Sequence, residues 1–212
     1  MSNEQNYFPT VIVLISGKRK SGKDFFADKL AQAIENLGSQ INVKTAVARI
    51  SGPLKEEYAR IHGLEYAELL TSSPYKEQHR LNMVKWGEHI RAQDPGYFIR
   101  AAIAKVPPVS VLIISDIRRR TDLNYFDENY GAGNNLHTVL LKVKVFADAQ
   151  SREVRGWKYT EGVDDAETEC DLDTISNWDC KINNCLCAAR NDLDEKINTI
   201  VKLILTRIES GV

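Results

Sequence analysis

Apolar runs and amphipathic segments alternate along most of the chain. Five runs are typical of strands, the last more weakly: residues 10–16, 43–50, 109–115, 138–146 and 178–183. Between them apolar residues recur every three or four positions, and a last pattern of this kind comprises Leu193, Ile197, Ile200 and Ile204. This alternation predicts an α/β fold, a central parallel sheet with helices on both sides. Ligands of such folds bind beyond the carboxyl ends of the strands.

Two stretches depart from this alternation. Residues 51–104 contain helical patterns but no convincing strand, and Pro53 suits the first position of a helix. We expect this helical insertion to form the wall of a second substrate site. Residues 148–170 are polar, rich in charge and contain Gly156 and Gly162, which is the composition of a mobile lid.

A glycine loop follows the first predicted strand. It reads Gly17-Lys18-Arg19-Lys20-Ser21-Gly22-Lys23-Asp24, and the helical pattern after it comprises Phe26, Leu30, Ala33 and Leu37. The glycines let the backbone curl until successive N–H groups point inward, and the N-terminus of the following helix adds partial positive charge. Lys23 can reach the outer phosphates of a nucleotide. The flanking strand and helix favour a phosphate loop over an ordinary glycine turn with solvated lysines.

The last position of this loop is unusual. The general pattern ends in Ser or Thr, whose hydroxyl binds Mg²⁺, whereas this chain has Asp24. A carboxylate can hold a divalent ion directly or through water, but its negative charge beside phosphates needs compensation. Lys18, Arg19 and Lys20 lie in the same loop and supply that compensation. We therefore expect a nucleotide-dependent P-loop enzyme.

Composition and charge exclude several classes of protein. With 212 residues, of which 43% are hydrophobic, we expect residues 1–212 to form one domain whose core comprises 10–50, 105–147 and 171–212. The net charge of −1 gives no reason to expect nucleic acid or a membrane as a partner, and the acidic stretch 164–173 is consistent with a solvated face. Because the chain contains no apolar run of bilayer length and no signal-peptide pattern, we expect a cytosolic protein.

The cysteines lie in the last quarter of the chain: Cys170, Cys180, Cys185 and Cys187. Their spacings include no Cys-x-x-Cys pair, and two of them lie in or beside the last predicted strand, where a small apolar thiol packs well. We therefore expect reduced thiols rather than a zinc site or a disulfide.

Positive charge also gathers outside the glycine loop. Arg118 and Arg119 follow Asp116 at the end of the most apolar predicted strand. Phosphoryl transfer depends mainly on bringing two anions together and neutralising the charge between them, and arginine can bind phosphate through two parallel hydrogen bonds. Asp116 has the position of a second Mg²⁺-associated acid, although an aspartate capping the next helix beside solvated arginines is the alternative. Arg152 and Arg155 are either lid residues that close onto the transferring group or plain surface residues.

The chain offers no obvious general base. Its histidines are scattered and are expected at surface or structural positions: His62, His79, His89 and His137. A hydroxyl acceptor usually needs a carboxylate or an imidazole to take its proton, whereas a phosphate monoester, with a second pKa of about 6, is already largely a dianion at neutral pH. The residues therefore favour a phosphate acceptor over a sugar hydroxyl.

Several motifs together resemble one known family. They are Ser16 to Phe25, Ser51-Gly52-Pro53-Leu54-Lys55-Glu56, Tyr75-Lys76-Glu77, Arg91-Ala92-Gln93-Asp94-Pro95-Gly96, Ser115-Asp116-Ile117-Arg118-Arg119, and Arg155-Gly156-Trp157 with Gly162-Val163-Asp164-Asp165-Ala166-Glu167. From about residue 11 to about residue 184 the chain resembles the animal-type phosphomevalonate kinases, a branch of the nucleoside-monophosphate-kinase-like folds, in which the loop ends in Asp. The resemblance implies a three-layer α/β/α P-loop kinase fold with a central parallel sheet, a helical substrate-binding insertion and a mobile lid.

The resemblance also implies an activity and roles for residues. The γ-phosphoryl of ATP would pass to the phosphate of (R)-5-phosphomevalonate, giving 5-diphosphomevalonate and ADP with Mg²⁺, in the mevalonate route to isoprenoids. Residues 17–24 would cradle ATP, with Lys18 and Lys23 stabilising transferring charge, and Asp24 and Asp116 would hold Mg²⁺ directly or through water. Asn184 would lie near adenine. The acceptor would be bound by Lys55, Arg91, Arg100, Arg118, Arg119, Arg152 and Arg155. Arg118 would also be catalytic, and Arg118 and Arg119 would hold either the acceptor or the moving phosphoryl group.

Two other functions are compatible with the residues. One is another small-molecule kinase of the same fold, acting on a nucleotide or a sugar acid. The other is a module that binds ATP and hydrolyses it slowly to switch a partner, which gives no reason for the arginines outside the loop. We expect a monomer that binds small molecules.

Overall fold

The computed structural model of the protein describes residues 8–38, 42–71, 73–131, 138–188 and 190–209. Within these ranges five strands form one sheet, in the order β2-β3-β1-β4-β5, and every neighbouring pair is parallel. The strands are β1 (Val11–Ser16), β2 (Thr45–Arg49), β3 (Val111–Ile117), β4 (Val139–Phe146) and β5 (Cys180–Asn183). All five predicted runs are confirmed as strands, including the weak last one, and the parallel arrangement brings their carboxyl ends to one edge.

Helices cover both faces of this sheet. They are α1 (Lys23–Gly38), α2 (Ser51–His62), α3 (Tyr66–Leu70), α4 (Pro74–Gln93), α5 (Tyr97–Ile103), α6 (Arg120–Tyr130), α7 (Ala149–Val154), α8 (Glu167–Cys170) and α9 (Arg190–Glu209). Because successive strand residues point to opposite faces, Val13 of β1 packs with Phe26 of α1 and Ile204 of α9, whereas Leu14 packs in the opposite core with Phe126 of α6. The predicted three-layer α/β/α fold is confirmed.

The stretch between β2 and β3 is helical, as predicted. It contains α2 to α5, and no strand occurs in its described residues, which are 51–71 and 73–104. The expectation that Pro53 opens a helix is wrong by two positions, since α2 begins at Ser51. Pro53 is tolerated there because the first N–H groups of a helix have no intrahelical partner. Tyr58 and Leu69 form a small separate core with Met83 of α4.

The end of β3 differs from the predicted strand in a way that affects chemistry. The strand ends at Ile117, two residues later than expected, so Asp116 lies inside it. The pairing with β1 shifts between Leu14 and Ser16, and Asp116 adopts a left-handed backbone conformation with φ of 70°. Bulges of this kind re-aim side chains beside active sites. In the described part of the chain, no helix combines the length and the apolar character that crossing a membrane requires.

Candidate active site

The glycine loop connects β1 to α1 as the sequence predicts. Gly22 has φ of +89°, and a Cβ atom there would lie 2.1 Å from Nδ2 of Asn184. At Gly17 a Cβ atom would lie 2.7 Å from the carbonyl oxygen of Val145. Glycine is therefore required at both positions, by backbone conformation and close packing at Gly22 and by packing at Gly17. The N–H of Phe26 donates to the Gly22 carbonyl (2.9 Å), so the helix starts directly from the loop.

Two carboxylates converge on the lysine of this loop. Nζ of Lys23 lies 2.8 Å from Oδ1 of Asp116 and 3.1 Å from Oδ2 of Asp24. The other oxygens are also engaged, because Ser51 Oγ donates to Asp116 Oδ2 (2.6 Å) and Ser115 Oγ donates to Asp24 Oδ1 (2.8 Å). Asp24 lies in the first turn of α1, where the helix dipole stabilises negative charge.

The surroundings of Asp116 favour its ionised form. Burial by itself raises the pKa of this carboxyl, but Lys23, Arg118 and Lys55 together hold it well below its ordinary value. Nη2 of Arg118 lies 3.4 Å from Oδ1 of Asp116. A buried carboxylate that stays charged beside three cations is typical of a site that handles ions or charged ligands.

An inner cavity of about 130 Å³ lies between the helical stretch and the end of β3. Three residues predicted for the acceptor line it, namely Lys55, Arg91 and Arg118. Apolar residues form other parts of its wall: Leu54, Met83, Val84 and Val163. The space therefore suits a small anion with a hydrocarbon portion.

Two further cations line this cavity that the sequence did not single out as site residues. Lys76 and Arg80 lie one turn apart on α4. Burial, with Lys55 and Arg80 nearby, lowers the pKa of Lys76 to about 8. Burial also lowers the pKa of Lys55. The sequence could have indicated both residues, since Lys76 belongs to one of the motifs that resemble the family and Arg80 follows it at helical spacing.

An outer cavity of about 660 Å³ adjoins the inner one and extends over the glycine loop. Its lining includes Lys20, Gly22 and Lys23 of the loop, together with Arg155 and Lys158. Seven residues line both cavities, and five of them are cations: Arg19, Lys55, Lys76, Arg80 and Arg118, with Ser51 and Asp116. The two spaces therefore adjoin at a set of shared residues in which positive charge predominates.

Asn184 and Arg155 hold the glycine loop from behind. Asn184 Nδ2 donates to the Ser21 carbonyl (2.8 Å), and Arg155 Nη2 donates to the Asn184 carbonyl (2.6 Å). Arg155 Nη1 also donates to the carbonyls of Lys20 (3.3 Å) and Ser21 (3.2 Å). The contacts of Asn184 are thus with the loop backbone, whereas its predicted position near adenine stays a prediction.

Acidic residues of the stretch 164–173 pair with cations of the loop and of β3. Lys18 Nζ lies 2.6 Å from Asp173 Oδ2, and the backbone N–H of Arg19 donates to Glu169 Oε2 (3.0 Å). The other oxygen of Glu169 accepts from Arg118. The stretch is therefore not a plain solvated face, because its carboxylates neutralise residues predicted to bind phosphate.

Three predicted acceptor residues line neither of the two cavities described above. Arg119 pairs with carboxylates of Glu88, Glu167 and Asp171, and Arg100 pairs at the surface with Asp94. Arg152 donates to the carbonyl of Arg19 (2.8 Å) and its guanidinium lies 4.0 Å from the centre of the Trp157 ring. The site roles of these three residues stay predictions.

Other sequence expectations concern metal ligands and cysteines. In the described ranges no three His, Cys, Asp or Glu side chains come together as a metal site. The four cysteines are free thiols, and Cys180 lies in β5 as expected. His137 lies outside the described residues.

Comparisons with known proteins extend these observations. A family model described as phosphomevalonate kinase matches residues 15–132, which include the glycine loop, the helical stretch and Arg118. A curated phosphomevalonate kinase of Drosophila melanogaster is 38% identical over 169 residues, covering 78% of this chain and 83% of that protein. The chain belongs to the phosphomevalonate kinase family.

Solved structures resemble this member of the phosphomevalonate kinase family only distantly. A sugar kinase from Janibacter sp. HTCC2649 has a TM-score of 0.40 and 14% identity, over 91% of this chain and 94% of that one. An uncharacterized protein from Eubacterium ventriosum has a TM-score of 0.36 and 14% identity, over 92% of this chain and 98% of that one. Likeness at this level supports no argument about the site.

Proposed function

We propose that the protein transfers the γ-phosphoryl group of ATP to the phosphate of (R)-5-phosphomevalonate, giving (R)-5-diphosphomevalonate and ADP in the mevalonate pathway. The Drosophila relative carries the name of this enzyme. One structural observation carries the proposal. The space over the glycine loop and the inner cavity share a wall of five cations, which suits two anionic substrates that meet end to end.

The chemistry needs little covalent help from the protein. An oxygen of the acceptor phosphate, already a dianion at neutral pH, attacks the γ-phosphorus of ATP while the bond from that phosphorus to the bridging oxygen of ADP breaks. No proton has to be removed from the acceptor. The protein's task is to hold both anions in line and to neutralise the charge between them, which Arg118 and Lys23 are positioned to do.

On the donor side, residues 17–24 bind the phosphates of ATP through backbone N–H groups and lysines. Asp24 and Asp116 are the proposed Mg²⁺-associated acids, directly or through water. These two carboxylates fit a Mg²⁺ ion because both converge within 3.1 Å of Lys23 Nζ and so lie close to each other. Protein-bound Mg²⁺ usually takes one or two carboxylates, with waters and substrate phosphates as its other ligands. When bound, the ion supplies further neutralisation of phosphate charge.

On the acceptor side, Lys55, Arg91 and Arg118 bind the phosphate and the carboxylate of phosphomevalonate, joined by Lys76 and Arg80. Residues 148–170 form the proposed lid, which contributes Arg155 and Lys158 to the outer cavity. Closure of a lid excludes water, so that the phosphoryl group passes to the acceptor rather than to water.

A coupled assay of ADP release tests the proposal. The purified protein with ATP and Mg²⁺ is given (R)-5-phosphomevalonate, nucleoside monophosphates or phosphorylated sugar acids in turn. We expect ADP release only when phosphomevalonate is the acceptor, and a loss of turnover on the order of 10²-fold in Arg118→Ala. Arg120→Ala is the matched control, because Arg120 is exposed and pairs with Asp171 away from both cavities. Equal release with another acceptor, or without any acceptor, would refute the proposal.

A further inference from the structure

Asp122 is a fully buried carboxylate just behind the inner cavity. It is the third residue of α6 and has no exposed surface. Its Oδ2 accepts hydrogen bonds from the backbone N–H groups of Arg118 (2.8 Å) and Arg119 (3.1 Å). Its Oδ1 accepts a hydrogen bond from Nη1 of Arg91. One carboxylate therefore binds three donors from two separate parts of the chain.

These donors belong to the two elements that supply acceptor-binding cations. Arg91 lies near the end of α4, and Arg118 lies just after β3, yet both line the inner cavity. The Arg91 side chain is 7% exposed, and its guanidinium lies 5.8 Å from the centre of the Phe98 ring. With Nη1 engaged by Asp122 and the ring of Phe98 beside it, this guanidinium has little freedom to turn.

A residue that only capped α6 would need fewer interactions than the Asp122 carboxylate makes. Capping the start of α6 needs only an oxygen that accepts from the backbone N–H groups of Arg118 and Arg119. Asparagine could do this through its carbonyl oxygen. Only a carboxylate can also neutralise the buried Arg91, for which Asp122 is the one ion-pair partner among the described residues.

We propose that Asp122 is a positioning residue for phosphoryl transfer. It fixes the guanidinium of Arg91 and the backbone that carries Arg118 relative to each other, so that both cations face the acceptor phosphate in the correct geometry. Asp122 lines neither cavity and acts through Arg91 and Arg118. The inference rests on the proposed function for its kinetic readout, but its structural part does not.

The kinetic test uses Asp122→Asn, which retains the helix cap and removes the partner of Arg91. We expect the KM for phosphomevalonate to rise about tenfold or more, with the KM for ATP unchanged within about twofold. In an Arg91→Met background the same substitution should change the acceptor KM by less than about twofold, because the side chain through which it acts is gone. An acceptor KM that stays at the wild-type value in Asp122→Asn, or that rises equally in both backgrounds, would overturn the proposal.

Two controls separate positioning from stability. Asp127→Asn alters an exposed carboxylate of α6 that pairs with Lys142, and it should leave both KM values unchanged. Ile204→Val removes a methyl group from the core on the other face of the sheet, so it should lower the melting temperature without changing the acceptor KM. If Asp122→Asn does not fold, we compare the acceptor KM of the double variant Asp122→Asn/Arg91→Met, which leaves no unpaired buried charge, with that of Arg91→Met alone. A difference of less than about twofold supports an action of Asp122 through Arg91, and a larger difference would overturn it.

A readout without substrate keeps the two proposals distinguishable. Amide hydrogen exchange at Arg118 and Arg119 should accelerate about tenfold or more in Asp122→Ala and remain within about twofold of wild type in Asp122→Asn. If wild type shows no activity with phosphomevalonate, the proposed function fails, whereas Asp122 is still judged by exchange. Unchanged exchange in Asp122→Ala would overturn the anchoring of this backbone by Asp122.

Discussion

Nζ of Lys23 lies 2.8 Å from Oδ1 of Asp116, which joins the lysine of the glycine loop to an acid on the neighbouring strand. Both side chains are more than nine-tenths buried. Each loses hydration that the partner must replace, so the pair holds Lys23 at the position where the loop meets α1. Phosphates of a nucleotide would offer Lys23 a competing partner at the same position.

Replacing this lysine should abolish turnover while leaving the fold intact. In Lys23→Met we expect kcat to fall by about 10²-fold or more, because the cation that we propose to stabilise the transferring charge is gone. The unfolding free energy should fall by about 3 kcal/mol or less, since Asp116 retains Ser51 and Arg118 as partners. Saturation kinetics and urea denaturation measure the two effects.

Lys29→Met on the same helix is the matched control for this substitution. Lys29 is 41% exposed and pairs at the surface with Asp194, so its loss should change neither kcat nor stability appreciably. Wild-type turnover in Lys23→Met would contradict the assignment of this loop as the donor site.

The lowered pKa of Asp116 predicts how stability depends on acid. The folded-state pKa lies below the unfolded value of about 4, so the contribution of this carboxylate is complete above about pH 4 and is lost as pH falls through the folded value. Wild type should therefore lose unfolding free energy on acidification more steeply than Asp116→Asn. Urea denaturation from about pH 6 down to about pH 3 measures the difference.

Asparagine is suited to this comparison because it tolerates the left-handed conformation at position 116. Asp28→Asn serves as the control, since Asp28 is 60% exposed and pairs with Arg49 at the surface. Its acid profile should match that of wild type. Parallel profiles for wild type and Asp116→Asn would mean that the Lys23 pair does not control this carboxyl.

The sequence predicted those features of the molecule that depend on neighbouring residues. The β1 run is apolar at every position except its last, Ser16, because the strand is buried on both faces, and that pattern is visible without any partner. The glycine loop was equally visible, since glycines mark both its positions that exclude a side chain, Gly22 by backbone conformation and Gly17 by close packing. Even the weak strand at Cys180–Asn183 was found from local composition.

Features that depend on long-range contacts were not predictable. Lys18 and Asp173 are 155 positions apart, so nothing near Lys18 indicates that a carboxylate neutralises it. The bulge that turns Asp116 depends on how β3 pairs with β1, which the apolar pattern does not specify. Asp122 was invisible for the same reason, because its importance comes from Arg91 on a distant helix.

Asn184 provides a test that separates contact with adenine from support of the loop. Its Nδ2 donates to the Ser21 carbonyl, so Asn184→Ala should loosen the loop that we propose to bind the phosphates. We expect the affinities for ATP and for inorganic tripolyphosphate to fall by the same factor, about tenfold, as measured by calorimetry. A loss confined to ATP would instead indicate that Asn184 acts on the base. Asn183→Ala is the matched control, because within the described residues the Asn183 side chain accepts a hydrogen bond from the nearby Cys185 N–H and makes none with the glycine loop.

The lowered pKa of Lys76 predicts a pH dependence of acceptor binding. Because burial lowers this pKa to about 8, the free protein loses the Lys76 charge as pH rises through that value, well before an exposed lysine would. On the proposed function phosphomevalonate binds the charged form of Lys76, and its own phosphate is a dianion throughout this range. The KM for phosphomevalonate should therefore rise about tenfold between pH 7.5 and pH 9, while the KM for ATP changes less.

Lys76→Arg is the variant that decides the origin of this rise, because arginine remains charged at every pH in the series. We expect it to remove most of the increase in KM. Lys85→Arg, on the same helix but outside the residues that line either cavity, should retain the full increase. If Lys76→Arg keeps the wild-type pH profile, the proton that controls acceptor binding belongs to another group.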